Sequence, residues 1–206
     1  MRTTRSIGDK FISKVRTLEY TRKRIDELAR NNSITSRDAD QVYEGLFLSV
    51  HIAFESFLEQ LFTVLIVSTS NYRTSQTDIN ARIGVNSYKI AKELIYRGYD
   101  YVEWMPYSKT QKLASLYLTG GRPFSNINDS EKGYLKKCSL IRNVIAHKSA
   151  FSIAQFKEKV IGNAVIPNEE RQVARYLRGI YRISPVQSRY ELYVSILISI
   201  SRKLSE

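Results

Sequence analysis

The stretch Ser139-Leu140-Ile141-Arg142-Asn143-Val144-Ile145-Ala146-His147-Lys148-Ser149 gathers an arginine, an asparagine and one of the chain's 2 histidines. Arginine supplies a permanent, forked cation matched to phosphate, and histidine is the side chain whose charge changes most readily near neutral pH. Together they equip a site for phosphodiester chemistry without a metal. Ser139 adds a polar group on one side, and Lys148 adds a further cation for a nucleic-acid backbone on the other. No other segment of the sequence collects comparable groups.

How a helix would present these residues decides what they can do. With Arg142 at 0° and about 100° per residue, Tyr134, Cys138, Leu140, Ile141, Val144 and Ile145 span about 160° to 320°, the face expected in a core. Ser139, Asn143 and His147 fall at about 60°, 100° and 140°, a polar stripe along the edge of that face. Arg142 and His147 therefore do not converge on one atom from a single regular helix. Either the helix ends near His147, or a second copy of it completes the site. A homodimer packed about a two-fold axis would bring two arginines, two asparagines and two histidines into one cleft. A structural histidine held by hydrogen bonds is the competing reading, and the residues alone leave both open.

Other groups offer less. His51 and Glu55 share a helix face at i,i+4. Glu55 is spaced to be partly buried and to pair with Arg142 or His147 across a bundle, which would fix the histidine tautomer. For His51 a surface pair without a role is the simpler reading. Two histidines and one cysteine, Cys138, do not form a recognised ligand spacing, so neither metal nor cofactor is expected. Arg171, Arg175, Arg178 and Arg182, spaced by four, three and four, predict a line of cations on one helix that would track an RNA backbone. Tyr176 and Tyr181 lie close by for stacking. A solvated charged face competes with that reading. Gly120-Gly121-Arg122-Pro123 lacks the Gly-Lys-Ser/Thr of a phosphate loop and reads as a turn.

The elements that must position these groups read as helices. Only 4 prolines and 9 glycines interrupt the chain, and apolar residues recur at three- and four-residue spacing. A first helix is predicted over about Ile7 to Arg30, with Phe11, Val15, Leu18, Ile25 and Leu28 inward. Its pairs Glu19/Lys23, Arg22/Asp26 and Asp26/Arg30 point outward, and Asn31-Asn32-Ser33 ends it. A second, longer helix starts near Ser36 or Asp38 and carries Val42, Leu46, Val50, Phe54, Phe57, Leu58, Leu61, Phe62 and Leu65 before the polar segment Ser68 to Asn80. Shorter helices follow over Ser87 to Arg97 and Tyr107 to Thr119. Asn128 with Glu131 three positions on is a capping pair that opens the motif helix. Ile153 to Ile161, Glu169 to Tyr181 and Arg189 to Leu204 complete an all-α fold with little support for strands. The whole chain reads as one domain, with a core over about 7–150 and a C-terminal helical extension over about 151–206.

Composition narrows the partner. Lys+Arg 32 against Asp+Glu 20 gives a net charge of +12, which favours an anionic partner, nucleic acid ahead of a membrane surface. The lone cysteine excludes an intramolecular disulfide framework and fits a reducing, cytoplasmic setting. The basic N-terminus lacks the apolar region of a secretory signal. The apolar runs Leu61 to Val67 and Leu192 to Ile200 are shorter than the ~18–20 residues of a membrane span.

The string Arg142-Asn143-Val144-Ile145-Ala146-His147 resembles the Arg-(four to six residues)-His signature of HEPN domains, including the polar residue directly after the arginine. The helix Tyr43 to Leu65, with Phe54-Glu55-Ser56-Phe57-Leu58-Glu59, is similar to the helix beside the motif in several HEPN groups. The resemblance covers about half of the chain, and its specific part is the motif. It implies a helical bundle of the HEPN type with additional C-terminal helices, dimerising through the motif helices. It further implies a metal-independent endoribonuclease of toxin, antiviral-defence or RNA-processing systems, with an antitoxin or defence-system partner. In that family's terms His147 would handle the proton of the ribose 2′-OH or of the leaving 5′-oxygen, Arg142 would hold the scissile phosphate, and Asn143 would orient either. The products would be a 2′,3′-cyclic phosphate and a 5′-OH, and DNA would resist cleavage. Toxins of the family paired with nucleotidyltransferase antitoxins often carry a tyrosine two residues after the histidine, where this chain has Ser149. Other members are inactive, so a silent RNA-binding or protein-interaction module is the alternative.

Overall fold

The structure, a computed structural model, describes residues 3–67 and 81–206. The polar segment Ser68 to Asn80 lies outside the described residues. Eight α-helices account for most of the rest: α1 (Thr4–Arg30), α2 (Ser36–Ile66), α3 (Tyr88–Tyr96), α4 (Tyr107–Tyr117), α5 (Asp129–His147), α6 (Ala150–Phe156), α7 (Val173–Arg178) and α8 (Arg189–Ser205). One small hairpin, β1 (Ile180–Ile183) antiparallel to β2 (Val186–Ser188), interrupts them. The fold is all-α.

Four of the helices open with the same reciprocal cap, in which residues three apart satisfy each other's first backbone N–H groups. Thr3 and Ser6 do so at α1, Thr35 and Asp38 at α2, and Ser188 and Glu191 at α8. At α5 the Asn128 amide accepts from the Glu131 N–H while Glu131 accepts from the Asn128 N–H, both at 2.8 Å. Of the four, the capping pair at α5 is the one read from sequence. The stop of α1 is also local. Asn32 adopts φ 55, and the Asn32 and Ser33 N–H groups donate back to Ala29 and Leu28 carbonyls.

The residues group into two compact units. The first takes its described residues from Met1–Ile12, Phe54–Lys132 and Ile198–Glu206. Its core holds Phe11 against Phe54 at 5.6 Å between ring centroids, and Phe62 against Trp104, Tyr117 and Phe124. Fully burying rings of this size contributes on the order of 2–3 kcal/mol each. Gly8 lets α1 and α8 approach closely, since a Cβ there would run into the Ser205 hydroxyl. The second unit comprises Ser13–Ala53 and Gly133–Leu197. Phe47 packs edge-on to Tyr190 and Tyr193 there, and Leu135, Cys138, Ile141, Val144 and Ile145 form the buried face of α5. Residues 151–206 contribute to both units.

The predicted helix over Glu169 to Tyr181 is not continuous. A 3-10 turn at Asn168–Arg171 precedes the six residues of α7, and the chain then turns extended into β1. The cause lies at Gly179, where a Cβ would clash with the Arg189 guanidinium and the Glu170 carboxylate that pair there. Arg189 also donates to the Tyr176 carbonyl, taking up the end of the helix. Similarly, the expected helix over Ile153 to Ile161 is α6 closed by a π-turn at Lys157–Ile161.

Among the described residues α2 alone is long and apolar enough to cross a membrane by length and composition, a longer stretch than the run Leu61 to Val67 that overlaps its end. Of its apolar window 61% is buried within the protein, as expected of a core helix.

Candidate functional site

The motif occupies the last turns of α5, and the helix stops on it. Lys148 adopts the left-handed conformation at φ 47, and its N–H closes the helix on the Val144 carbonyl at 2.9 Å. A lysine thus fills the position that glycine usually takes. Ser149 follows at once as the N-cap of α6, accepting from the Ser152 N–H. His147 is therefore the terminal residue of α5 and is exposed. Of the two arrangements the helical angles allow, an end of the helix at the histidine is present.

Arg142 and Asn143 are half-buried on the same helix. The Arg142 Nη1 group donates to the Asn143 Oδ1 at 3.3 Å, a neutral partner that orients the guanidinium without cancelling its charge. Five arginines among the described residues are buried or half-buried: Arg22, Arg142, Arg175, Arg178 and Arg189. Four of them bind carboxylates, at Glu19, Asp26 and Glu191, at Asp40 twice, and at Glu170. Arg142 binds none among the described residues. Because burying a guanidinium without a counter-charge is costly, an unpaired half-buried arginine is placed to receive an anion. Asn143 and His147, four apart, share a face, whereas Arg142 lies roughly 7.5 Å from His147 along the axis.

The remaining candidates divide. Ser139 is half-buried, and its hydroxyl donates to the Leu135 carbonyl at 3.2 Å, a bond within its own helix. Glu55 is half-buried on α2 in the first unit, while Arg142 and His147 belong to the second. His51 is 2% exposed, so it is a core residue of α2 and not a surface one. Lys148 reaches Glu44 at 3.0 Å. The line of four arginines does not form, because its residues fall on three elements. Arg171 ends the 3-10 turn, Arg175 and Arg178 sit on α7, and Arg182 is on β1. Arg175 and Arg178 both clamp Asp40, at 2.6 and 2.5 Å, which leaves Arg171 and Arg182 as the exposed members. Tyr176 is buried on Phe156 and near Tyr193 and offers no stacking face, whereas Tyr181 is 52% exposed. Asp40 and Glu44 are the site-neighbouring residues that the sequence did not reveal. Their partners lie more than a hundred residues away, beyond any local spacing signal.

Cys138 lies beneath the motif, buried on α5, and burial pushes its thiol up to about 12. It is a packing residue and not a nucleophile at neutral pH. No group of three or more metal-ligating side chains occurs among the described residues. Compared with models of protein families, with curated proteins and with solved structures, the chain gives no match.

Proposed function

We propose that the chain is a metal-independent endoribonuclease of the HEPN type, a cytoplasmic homodimer joined through α5 that serves a bacterial toxin or defence system. The observation that carries this reading is Arg142, the half-buried arginine that pairs with no carboxylate among the described residues and stands five residues before a histidine ending the same helix. A scissile phosphate supplies the missing counter-charge. His147, neutral, takes the proton of the ribose 2′-OH as that oxygen attacks phosphorus. A protonated His147 returns a proton to the departing 5′-oxygen, leaving a 2′,3′-cyclic phosphate and a 5′-OH. Asn143 holds the Arg142 fork and faces the same side as His147. RNA is the partner, and the +12 charge draws it in.

One observation favours the silent-module alternative. The His147 side chain makes no hydrogen bond among the described residues, so none of them fixes its tautomer. Incubating purified protein with labelled RNA in EDTA separates the two. The enzyme reading expects cleavage to cyclic phosphate ends by the wild type, with Arg142→Ala and His147→Ala each slower by about 10²-fold or more. RNA bound equally by all three proteins and cut by none selects the module. Cleavage that needs a divalent ion rejects the acid–base mechanism.

A further inference from the structure

Beside the end of α5 the second unit holds an open cleft of about 710 Å³, to which Val144 and Lys148 of the motif helix contribute. Its volume falls within the ~300–1,000 Å³ of pockets that take small ligands. Val144, Val173 and Ala174 make an apolar floor, and Ile153 adds apolar surface at the rim. Gln41, Asn168 and Gln172 are exposed residues of its lining, and none of the three makes a side-chain hydrogen bond among the described residues. Each amide carries both donors and an acceptor, the mixture found along the edge of a nucleobase.

The charge of the cleft is one-sided. Its two carboxylates are spoken for, Asp40 by Arg175 and Arg178 and Glu44 by Lys148. Arg37, Lys157 and Arg171 stand exposed on its edge with no carboxylate partner among the described residues. A cavity of about 700 Å³ around Arg22 differs in this respect, because Arg22 there is bound to Asp26 and Glu191, which line the same cavity. We infer that the cleft beside α5 holds one nucleotide of single-stranded RNA, base on the apolar floor within reach of the amides and phosphates against Arg37, Lys157 and Arg171. The inference rests on the endoribonuclease reading for the strand's continuation to the bond at His147. An acidic peptide would satisfy the three cations, and its backbone the amides, but its carboxylate side chains would leave the apolar floor without a flat ring to cover it.

The test is binding, measured separately from cleavage. Fluorescence anisotropy of a labelled single-stranded RNA is followed in EDTA with His147→Ala protein, alone and with Lys157→Gln/Arg171→Gln added. The paired substitution is expected to weaken binding about tenfold and to lower the slope of log affinity against log salt by about 1.4, the loss of two phosphate contacts. A control pair on the exposed side of α1, Lys23→Gln/Arg24→Gln, should stay within about twofold. Gln41→Ala and Gln172→Ala should alter the ranking among homopolymers and leave the salt slope unchanged. Equal losses from the cleft and control pairs would reduce the cleft to bulk charge and overturn the proposal, as would displacement by polyglutamate as effective as by RNA. The two readings fail separately. RNA that is cut by wild-type protein with a KM indifferent to Lys157 and Arg171 removes the cleft alone. RNA that is held through those residues but never cut removes the nuclease and leaves the cleft as a nucleotide site.

Discussion

Arg22, only 6% exposed, binds Glu19 at 3.1 Å, Asp26 at 2.7 Å and Glu191 at 2.6 Å, and the four charges form the most concentrated ionic cluster of the second unit. Helical spacing put Arg22 on the outer side of α1, and its i,i+4 partner Asp26 is indeed bound. What spacing could not show is Glu191, which comes from α8 and covers the arginine. One guanidinium cannot satisfy three carboxylates fully. Glu19 gives one oxygen to Arg22, while its Oε1 is buried without a hydrogen-bond partner among the described residues. Burial therefore raises its pKa above the ordinary value, Arg22 pulls against this, and the nearby Glu191 charge adds to the rise. A carboxylate with a raised pKa binds its proton more tightly in the folded state. Its favourable contribution is complete below the ordinary value of 4.5 and fades as pH climbs through the folded one. Glu19→Gln, which cannot ionise, should thus gain stability relative to wild type as pH rises from about 4.5 to 7. Asp38, whose pKa is lowered by hydrogen bonds from Thr35, acts in the opposite sense but is common to both proteins and cancels. Thermal midpoints of the two proteins across that pH range decide the matter, and a constant difference would refute the role given to Glu19.

At the scale of elements, reciprocal caps set where the helices begin. The pair at Asn128 and Glu131 fixes the start of α5 and so the register that brings Arg142 and His147 to its last turns. Asn128→Ala should cost about 1 kcal/mol, with Asn128→Asp retaining most of it. In a chain of this length that corresponds to a midpoint lower by about 2–4 °C, and an unchanged midpoint would deny the cap its part. The same pair shows why much of the fold could be read from sequence. Caps, the Asn31-Asn32-Ser33 stop and the apolar spacing of α1, α2, α5 and α8 are local signals, and the boundaries of those helices fall within a few residues of expectation. The segment from Glu169 to Tyr181 shows where such reading ends. Its arginines keep a helical spacing, yet Gly179 must make room for Arg189 and Glu170, so the chain leaves the helix there and forms a hairpin. Asp40, on α2, then takes the charge of Arg175 and Arg178. The candidate site was legible to the same degree. The types and spacing of Arg142, Asn143 and His147 are in the sequence, but the lack of a carboxylate on Arg142 among the described residues and the cleft beside α5 arise only once distant elements meet.

For the whole molecule, the question is whether one chain suffices. Arg142 and His147 lie about 140° apart around α5, so a single copy aims both groups at one phosphate only if the end of the helix at His147 lets the histidine turn back toward the arginine. The proposed two-fold dimer through α5 offers the other route, in which the arginine of one protomer serves the histidine of its partner. That arrangement makes a prediction that no single-chain site shares. Arg142→Ala and His147→Ala proteins are each expected to be inactive as homodimers. Mixed in equal amounts and allowed to exchange subunits, half of the dimers become heterodimers, and each heterodimer contains one site with both residues intact and one with neither. Activity should therefore return to about a quarter of the wild-type level, the fraction set by random pairing of symmetric subunits. If each chain carries its own complete site, every heterodimer subunit lacks one residue and mixing restores nothing. Sedimentation at tens of micromolar supplies the companion measurement, since a monomer at that concentration rules out a shared site. Recovered activity together with a dimer would place Arg142 and His147 in one composite centre built by two copies of α5.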